Sequence, residues 1–377
     1  MERSDFANNE LNEGDFERYK RHISLKEIGV AGQTKLKNST VLFIGAGGLG
    51  SSAILYAAAA GIGRIGIIDD DQVEISNLQR QVIHNIFELK KNKTDSAAKR
   101  IRELNPNCDV KLFTERLNIK NVIQIFKNFD IICDCSDNFG TRYLVNDACI
   151  ILSKPLIFGS VQGFEGQLSV FNLHRNSPSL RDLIPTPPQN NVIPSCEDFG
   201  VIGVSTGLIG VLQTNEILKI ILNKGEILDG KILVFNLLDL SMKKLNLRLN
   251  SDKNIIDLES SKKDYLDEDC SKTKLIQTIS NFEFKKIYKD KSRNILILDV
   301  REKDEFNNFS IQGSISLPLS LLNQKSSFEF IRENSLDKEI YTICQKGFRS
   351  EKASQILINE RIKSISVEGG IDKMHQG

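Results

Sequence analysis

Apolar and polar positions alternate along the first two thirds of the chain in two rhythms. Short runs of β-branched and other apolar residues read as strands: Thr40–Ile44, Arg64–Ile68, Val110–Phe113, Asp130–Cys133 and Pro155–Phe158. Between them lie stretches that read as helices. One runs from the glycines at 45–50 through Ala60, and another covers Asp95–Leu104 until Pro106 stops it. Later strands are expected at Gln167–Asn172, Lys231–Asn236 and Lys243–Leu247, with a strongly apolar helix at Gly207–Leu222. Alternation of this kind builds a parallel sheet through βαβ crossovers. After 250 the pattern changes. Residues 251–274 are dense in charge and their apolar residues keep no sustained period, which is the character of a linker. A second αβ unit follows, with strands at Ile295–Val300, Glu339–Ile343 and Ser364–Val367 and a helix at Lys352–Asn359. The expected organisation is a flexible, Asn/Glu/Asp-rich N-terminus (1–15), a first domain (16–250), a linker (251–274) and a second domain (275–377).

Composition narrows the class without naming a function. At roughly 150 residues per domain, 377 residues suit two or three domains. The 50 Lys and Arg against 49 Asp and Glu leave a formal charge of +1, which argues against a direct nucleic-acid partner. No apolar stretch reaches the roughly 18 residues of a membrane span, so no membrane partner is expected. The N-terminal segment is polar and has no apolar core of a secretory signal. The seven cysteines (108, 133, 135, 149, 196, 270 and 344) are scattered, which suggests free thiols in a reducing, cytoplasmic compartment. His22, His84, His174 and His375 show no metal spacing, so surface or satisfied-core roles are expected.

The chemistry starts at GAGGLG. Gly45, Gly47, Gly48 and Gly50 fall directly after a strand and before a helix. Glycines there allow a tight turn and close approach of backbone to phosphate, while the helix N-terminus offers N–H groups and a positive dipole end. Asp69 follows at the end of the next strand, where a carboxylate can hold ribose hydroxyls. These residues alone leave an NAD-type Rossmann enzyme open. Asn77, Arg80, Gln81 and Lys93 change the balance. Hydride transfer leaves a pyrophosphate intact and needs no such cations beside it, whereas cleavage of the α–β bond of ATP builds charge on the leaving group. Asp137, in CSDN after the strand Asp130–Cys133, lies at the carboxyl edge of the sheet, where a carboxylate with ATP phosphates can hold Mg2+.

Seven motifs in order carry a resemblance: RYKRH (18–22), GAGGLG (45–50), DDDQVEISNLQRQ (69–81), Lys93, CSDN (135–138), FEGQLSVF (164–171) and CEDFGVIG (196–203). Together they resemble the MoeB/ThiF/HesA adenylyltransferases, bacterial relatives of ubiquitin-activating enzymes, over about 16–250. The resemblance implies an α/β, Rossmann-like ubiquitin-activating-enzyme fold with a mixed sheet. It also implies Mg-ATP-dependent adenylation of the C-terminal Gly-Gly carboxylate of a ubiquitin-like sulfur-carrier protein. By position, Asp69 resembles the ribose contact, and Asn77, Arg80 and Lys93 the phosphate contacts. Asp137 resembles the magnesium-side carboxylate. Arg21 resembles the arginine that reaches the γ-phosphate from the second subunit, so a homodimer is implied. Lys20 is left as surface, and Asp71 as structural or one layer behind Asp69. Members of the family commonly hold a structural zinc on two CxxC pairs. Here Ser179 and Asp182 stand at the first, and SDKN (251–254) at the second, so no zinc is expected.

In the second domain Cys344 follows an apolar strand and precedes a helix, in CQKGFRS. A thiol there meets backbone N–H groups, a helix dipole and the charges of Lys346 and Arg349, the setting of an activated nucleophile. Phosphatases space Cys and Arg as C-x5-R, whereas four residues (Gln345, Lys346, Gly347 and Phe348) separate Cys344 from Arg349, and the smaller ring suits a persulfide sulfur. The domain resembles a small α/β rhodanese (sulfurtransferase) domain over about 285–370, with Asp299–Arg301 as its structural DVR and Cys344 as its persulfide carrier. It departs from that pattern at Ser310, where histidine is common, and at Met374, where tryptophan is usual.

Fused, the two domains suggest one sequence of reactions. The carrier's terminal glycine is adenylated, the Cys344 persulfide attacks the acyl-adenylate, and a second thiol reduces the acyl-disulfide to release a thiocarboxylate. Cys196, at the position of the family's crossover-loop cysteine, is the candidate for that thiol, and a cysteine desulfurase is the default sulfur donor. A molybdopterin-synthase small subunit is the expected carrier. The same chemistry on a thiamine or tRNA-thiolation carrier, or a non-catalytic carrier-docking module, are the alternatives.

Overall fold

The computed structural model describes residues 10–187, 200–248, 257–265, 276–290 and 292–374. The chain divides into two compact units, Met1–Asp267 and Glu268–Gly377.

The first unit opens with three short helices, α1 (Glu13–Arg18), α2 (Lys20–Ile23) and α3 (Gly29–Lys37). Asn12 caps α1 in a capping box with Asp15, which is buried and pairs with Lys37 at 2.7 Å. Asn12–Asp15, expected within the flexible N-terminus, are therefore fixed to α3. Strands β1 (Thr40–Ile44), β2 (Arg64–Ile68), β3 (Asp109–Phe113), β4 (Ile131–Asp134) and β5 (Leu156–Gln162) are parallel. Helices α4 (Gly48–Ala60), α5 (Lys93–Leu104), α6 (Val122–Phe126) and α7 (Phe139–Leu152) alternate with them. Strands β6 (Glu165–Phe171), β7 (Lys231–Asn236) and β8 (Ser241–Asn246) continue the sheet antiparallel. The order is β3-β2-β1-β4-β5-β6-β7-β8, a mixed sheet of eight strands, as the resemblance implied.

Strand β1 explains the arrangement. Its sequence TVLFI has no polar face, and all five residues are buried, as a central parallel strand covered on both sides requires. Val41 and Phe43 enter one apolar cluster, Leu42 and Ile44 the other. After a four-residue helix, α8 (Leu180–Leu183), the long helix α9 (Gly203–Leu222) packs against α4. Both are rich in small residues, so their backbones approach closely enough for Ser52 Oγ to donate to the Gly207 carbonyl (2.9 Å) and Thr214 Oγ1 to that of Ala53 (2.9 Å). Helix α9 starts four residues before the expected Gly207, because its first turn (GVST) carries no apolar period to mark it.

Within the segment expected to be a linker, residues 257–265 pack on the first unit. Helix α10 (Lys262–Tyr265) lies against α7, and Leu258 and Tyr265 pack on the apolar cluster that α7 helps to form. The anchor is polar. Asp147 on α7 is fully buried and accepts from Arg181 Nε (3.0 Å) and Nη2 (2.6 Å), and from Tyr265 Oη (2.8 Å). Arg181 also reaches Asp264 (2.8 Å) and stacks on the Tyr143 ring (4.9 Å). The remainder of 251–274 lies outside the described residues.

The second unit is a five-stranded parallel sheet of order β11-β10-β12-β13-β9. Its strands are β9 (Gln277–Ile279), β10 (Ile295–Asp299), β11 (Ser314–Ser316), β12 (Glu339–Ile343) and β13 (Ile365–Val367). Its helices are α11 (Asn281–Lys289), α12 (Lys303–Asn308), α13 (Leu319–Leu322), α14 (Lys325–Asn334), α15 (Phe348–Asn359) and α16 (Gly370–Met374). Among the described residues no helix is long and apolar enough to cross a membrane.

Replacing Arg181 with Met strands the buried Asp147 carboxylate and is expected to lower the unfolding free energy by about 3 kcal/mol. Tyr265→Phe removes one hydrogen bond and should cost about 1 kcal/mol. Urea titration of the full chain checks both, and equal effects would show that Arg181 is not the centre of the cluster.

Candidate functional site

The carboxyl ends of β1, β2 and β4 open into a cavity of about 340 Å³. Gly45, Gly47, Gly48, Asp69, Arg80, Lys93 and Asp137 all line it, so most of the expected nucleotide set converges on one place. Gly45 adopts a φ of +96°, and a Cβ on Gly50 would come within 2.1 Å of the Gly45 carbonyl oxygen. Glycine is therefore required at both positions to turn the chain from β1 into α4.

The turn is fixed through Ala46. Its N–H donates to Asp69 Oδ2 (2.8 Å), and its carbonyl contacts His84 Nε2 (3.0 Å), whose Nδ1 meets Ser96 Oγ (2.9 Å). His84 is thus a satisfied core histidine, and burial lowers its pKa to about 4. Asp69 takes a second N–H, from Asp71 (2.9 Å). Burial raises its carboxyl above the ordinary value, against the pull of Lys93. Lys93 is buried, with Nζ 2.7 Å from Asp71 Oδ2, and its N–H donates to the Asp71 carbonyl (2.9 Å). Asp71 therefore stands behind both Asp69 and Lys93. The carboxylates of Asp69, Asp70 and Asp71 approach within 4.8 Å of one another, but two of them are already engaged in these contacts.

Three expected residues are not in the lining: Gly50, which shapes the turn as described, Asn77 and Arg21. Asn77 is not in the cavity lining, and its Oδ1 accepts from the Glu74 N–H (3.1 Å). It shapes the turn that leads to Arg80, whose own Nη1 donates to the Ser76 carbonyl (3.1 Å). Arg21 sits on α2 beside Tyr19. Tyr19 packs against Gly61 at the C-terminal end of α4 and accepts from Asn105 Nδ2 (2.9 Å). The glycine loop is at the other end of this 13-residue helix, about 20 Å away at 1.5 Å per residue. Arg21 cannot reach the cavity of its own chain.

Arg142 was not singled out in the sequence, yet it lines the cavity. It is buried, its Nη1 donates to Ser160 Oγ (3.0 Å) and its Nη2 to the Ser136 carbonyl (3.0 Å). Its guanidinium lies over the rings of Phe139 (5.7 Å) and Phe158 (5.3 Å). Asp134 beneath it is fully buried. Burial raises the Asp134 carboxyl, and Arg142 opposes the shift. The available signal was a cation in the first turn of α7, just after its cap Asn138, since helical side chains lean back toward the N-terminus.

In the second unit Cys344 directly follows β12 and is 1% exposed. The Gly347 N–H donates to its sulfur (3.1 Å), and the sulfur contacts Ser350 Oγ (3.7 Å). Helix α15 starts at Phe348, four residues before the expected Lys352, so Phe348 and Arg349 lie in the first turn above the thiol. Arg301 holds Asp299 (2.7 Å), Gln345 Oε1 (3.0 Å) and the Phe309 carbonyl (2.6 Å), the bracing expected of the DVR. The N–H groups of Ile371 and Asp372 donate to the carbonyls of Cys344 (2.9 Å) and Gln345 (3.0 Å), so the backbone of α16 supports the loop. Lys346 is exposed at its tip.

The expected zinc positions do not fit the metal. Ser179 caps α8, and both its N–H (2.7 Å) and its hydroxyl (2.8 Å) donate to Asp182 Oδ2. A hydroxyl and carboxylate locked to each other are no substitute for two thiolates. The second position, 251–254, lies outside the described residues, as do Cys196, Cys270 and His375. Cys108, Cys133, Cys135 and Cys149 are free and buried. Burial pushes the Cys108 thiol up to about 12. Cys135 also lines the cavity.

Comparison with known proteins agrees with this division. The ThiF family profile matches residues 19–255, and the rhodanese-like domain profile matches residues 281–376. A "probable molybdopterin-synthase adenylyltransferase" of Gracilaria tenuistipitata var. liui is 38% identical over 356 residues, covering 94% of this chain and 97% of the relative. The "adenylyltransferase and sulfurtransferase MOCS3" of Drosophila virilis is 36% identical over 380 residues, covering 96% of this chain and 83% of the relative. Among solved structures, E. coli MccB with ATP aligns with a TM-score of 0.54 at 22% identity, over 66% of this chain and 75% of that one, a likeness of fold.

The buried His84 sets a pH dependence. Its folded pKa of about 4 lies below the ordinary 6.5, so the unfolded chain takes the proton first. The stability due to neutral His84 is complete above pH 6.5 and is lost as pH falls toward 4, by up to about 3 kcal/mol. His84→Asn should flatten the urea midpoint against pH across that window, and an unchanged slope would assign it to other groups.

Proposed function

The chain belongs to the ThiF family and carries a rhodanese-like domain behind that fold, and from this premise we propose that it activates a ubiquitin-like sulfur-carrier protein with ATP and then sulfurates it. It is an adenylyltransferase with a sulfurtransferase domain. The observation that carries the reading is the convergence of the glycine loop, Asp69, Arg80, Lys93 and Asp137 on one cavity.

The first step joins two anions. The carrier's terminal glycine carboxylate attacks the α-phosphorus of ATP, the bond to the bridging oxygen breaks, and pyrophosphate leaves. Arg80, Lys93 and the N–H groups that open α4 receive phosphate charge. Asp69 keeps lone pairs for the ribose beyond the two N–H groups that it accepts. Asp137, exposed at the cavity, would hold Mg2+, which when bound neutralises charge on the leaving pyrophosphate. Arg21 serves the γ-phosphate of a partner subunit, which makes the enzyme a homodimer. Asn77 acts through the turn that carries Arg80.

The second step belongs to Cys344. As a persulfide, its terminal sulfur attacks the acyl carbon and AMP leaves. The product is an acyl-disulfide between carrier and Cys344. A second thiolate, Cys196 in this reading, attacks the Cys344 sulfur and forms a disulfide with it. The carrier departs as the thiocarboxylate. A cellular dithiol then reduces the Cys196–Cys344 disulfide, being oxidised to its own disulfide, and a cysteine desulfurase persulfide passes its outer sulfur to the freed Cys344 thiolate. The carrier is a molybdopterin-synthase small subunit, and no zinc takes part.

Carrier-dependent ATP–pyrophosphate exchange tests the reading, run with a molybdopterin-synthase small subunit and with a thiazole-synthesis carrier. Exchange with the first alone is the expected result, and exchange with the second alone would reassign the pathway. Lys93→Ala and Arg21→Ala should each lower exchange about a hundredfold. Co-assembled, the two variants should recover about a quarter of it, because half of the dimers hold one intact site. No recovery would remove Arg21 from the partner's site. Stoichiometric zinc in the purified protein would refute the zinc-free reading, and Cys196→Ala with full thiocarboxylate yield would exclude that thiol.

A further inference from the structure

Three cations surround Cys344, and two are already spent. Arg301 is bound to Asp299, Gln345 and the Phe309 carbonyl. Arg349 is gripped at both ends by a carboxylate from another element. Its Nη1 and Nη2 lie 2.6 and 2.8 Å from the two oxygens of Glu305 on α12. This is a fork-to-fork pair, the geometry by which a guanidinium otherwise takes an oxyanion. The pair is no remote surface contact. Arg349 feels the charge of Cys344 and of Glu302, and both partners are about one-third exposed, at 30% and 36%. Arg349 holds the Glu305 carboxyl below the usual range, so it stays ionised at neutral pH. Of these three cations, among the described residues, Lys346 is left to meet a ligand, at the exposed tip of the loop.

That charge balance bears on which sulfur donor the loop accepts. Thiosulfate is a dianion, and its reaction with the Cys344 thiolate gives the Cys344 persulfide anion and sulfite, with three negative charges on each side. Both the approach and the leaving group call for a cationic clamp. A protein persulfide makes a smaller demand. The Cys344 thiolate attacks the outer sulfur of R–S–SH, the S–S bond breaks, and R–S⁻ leaves with one charge.

We propose that Glu305 is a specificity-determining residue of the sulfurtransferase domain: by occupying both donors of Arg349 it withholds that cation from oxyanionic small-molecule donors and leaves Cys344 to a protein persulfide. This rests on the reading of Cys344 as the sulfur carrier and names the class of donor it takes.

The test is thiosulfate:cyanide sulfurtransferase activity of the full-length chain with Glu305→Gln. Glutamine keeps the α12 capping box, in which Glu305 accepts from the Glu302 N–H (3.2 Å). Removing the carboxylate should raise kcat/KM for thiosulfate at least about tenfold, mainly through KM. The gain should vanish in the Glu305→Gln/Arg349→Ala double variant, and Glu305→Asp should show less of it. A second readout does not depend on sulfur transfer. The rate of Cys344 alkylation by anionic iodoacetate relative to uncharged iodoacetamide, read by mass spectrometry of the Cys344 peptide, should rise in Glu305→Gln. Unchanged thiosulfate kinetics with an unchanged alkylation ratio overturns the proposal. The underlying reading is checked separately in wild-type protein, by persulfide formation on Cys344 with a cysteine desulfurase and L-cysteine. If Cys344 stays unloaded there, the sulfur-carrier reading fails whatever Glu305 does.

Discussion

The backbone of Ala46 is the point from which the nucleotide site is hung. A glycine-rich turn has many conformations, and leaving them open would cost entropy at every binding event. Here Asp69 holds the N–H of Ala46 and His84 its carbonyl, so the turn is fixed from two sides before any ligand arrives. Each holder is tied in turn to α5, His84 through Ser96 and Asp69 through Asp71 and Lys93. Loop, carboxylate and phosphate-side lysine therefore form one connected unit. Its integrity requires a neutral His84, which burial supplies.

Both units place their chemistry on the same device, a buried parallel strand that ends in a glycine-containing turn and feeds a helix N-terminus. In the first the strand is β1 and the helix α4, and in the second they are β12 and α15. What differs is the charge placed around the turn. The first places Arg80 at an open cavity, which Lys93 also lines with Asp71 as its partner. The second closes its arginines with Asp299 and Glu305. Oriented N–H groups alone suit a single sulfur anion, whereas a triphosphate calls for side-chain cations as well.

The central strands were legible because they are pure in character. TVLFI and EIYTI have one reading, and β1 and β12 fall at the expected residues. Short edge strands were not: QTI and SIS are too brief to show a period. Asp69 and Asp137 were legible as candidates because they follow strand ends, and Arg80 and Lys93 because they stand in motifs that carry the resemblance. Arg142 was hidden because it acts from within a helix, and Glu305 because its partner lies 44 residues away in sequence. Asn77 shows a further local role. Its position suggested phosphate, and in the structure its Oδ1 serves the local turn by accepting from the Glu74 N–H.

The segment 257–265 carries the most general lesson. Dense charge reads as solvated chain because an isolated ion in a protein interior is expensive. The expense falls when the interior already holds the opposite charge. Asp147 is such a charge, buried on α7, and Arg181 links it to Asp264 while Tyr265 fills its remaining lone pair. The resemblance would have joined the 179–182 region to residues just past 250 by zinc thiolates. In this chain Arg181 in α8 pairs with Asp264 in α10, and Arg181 and Tyr265 both meet Asp147. Such a cluster needs no metal and no reduced thiols, but it depends on every partner. Removing Arg181 leaves a buried charge unpaired, whereas replacing the whole set with apolar residues would not. Through this cluster residues 257–265 belong to the first unit although they lie within the charged sequence that begins at 251.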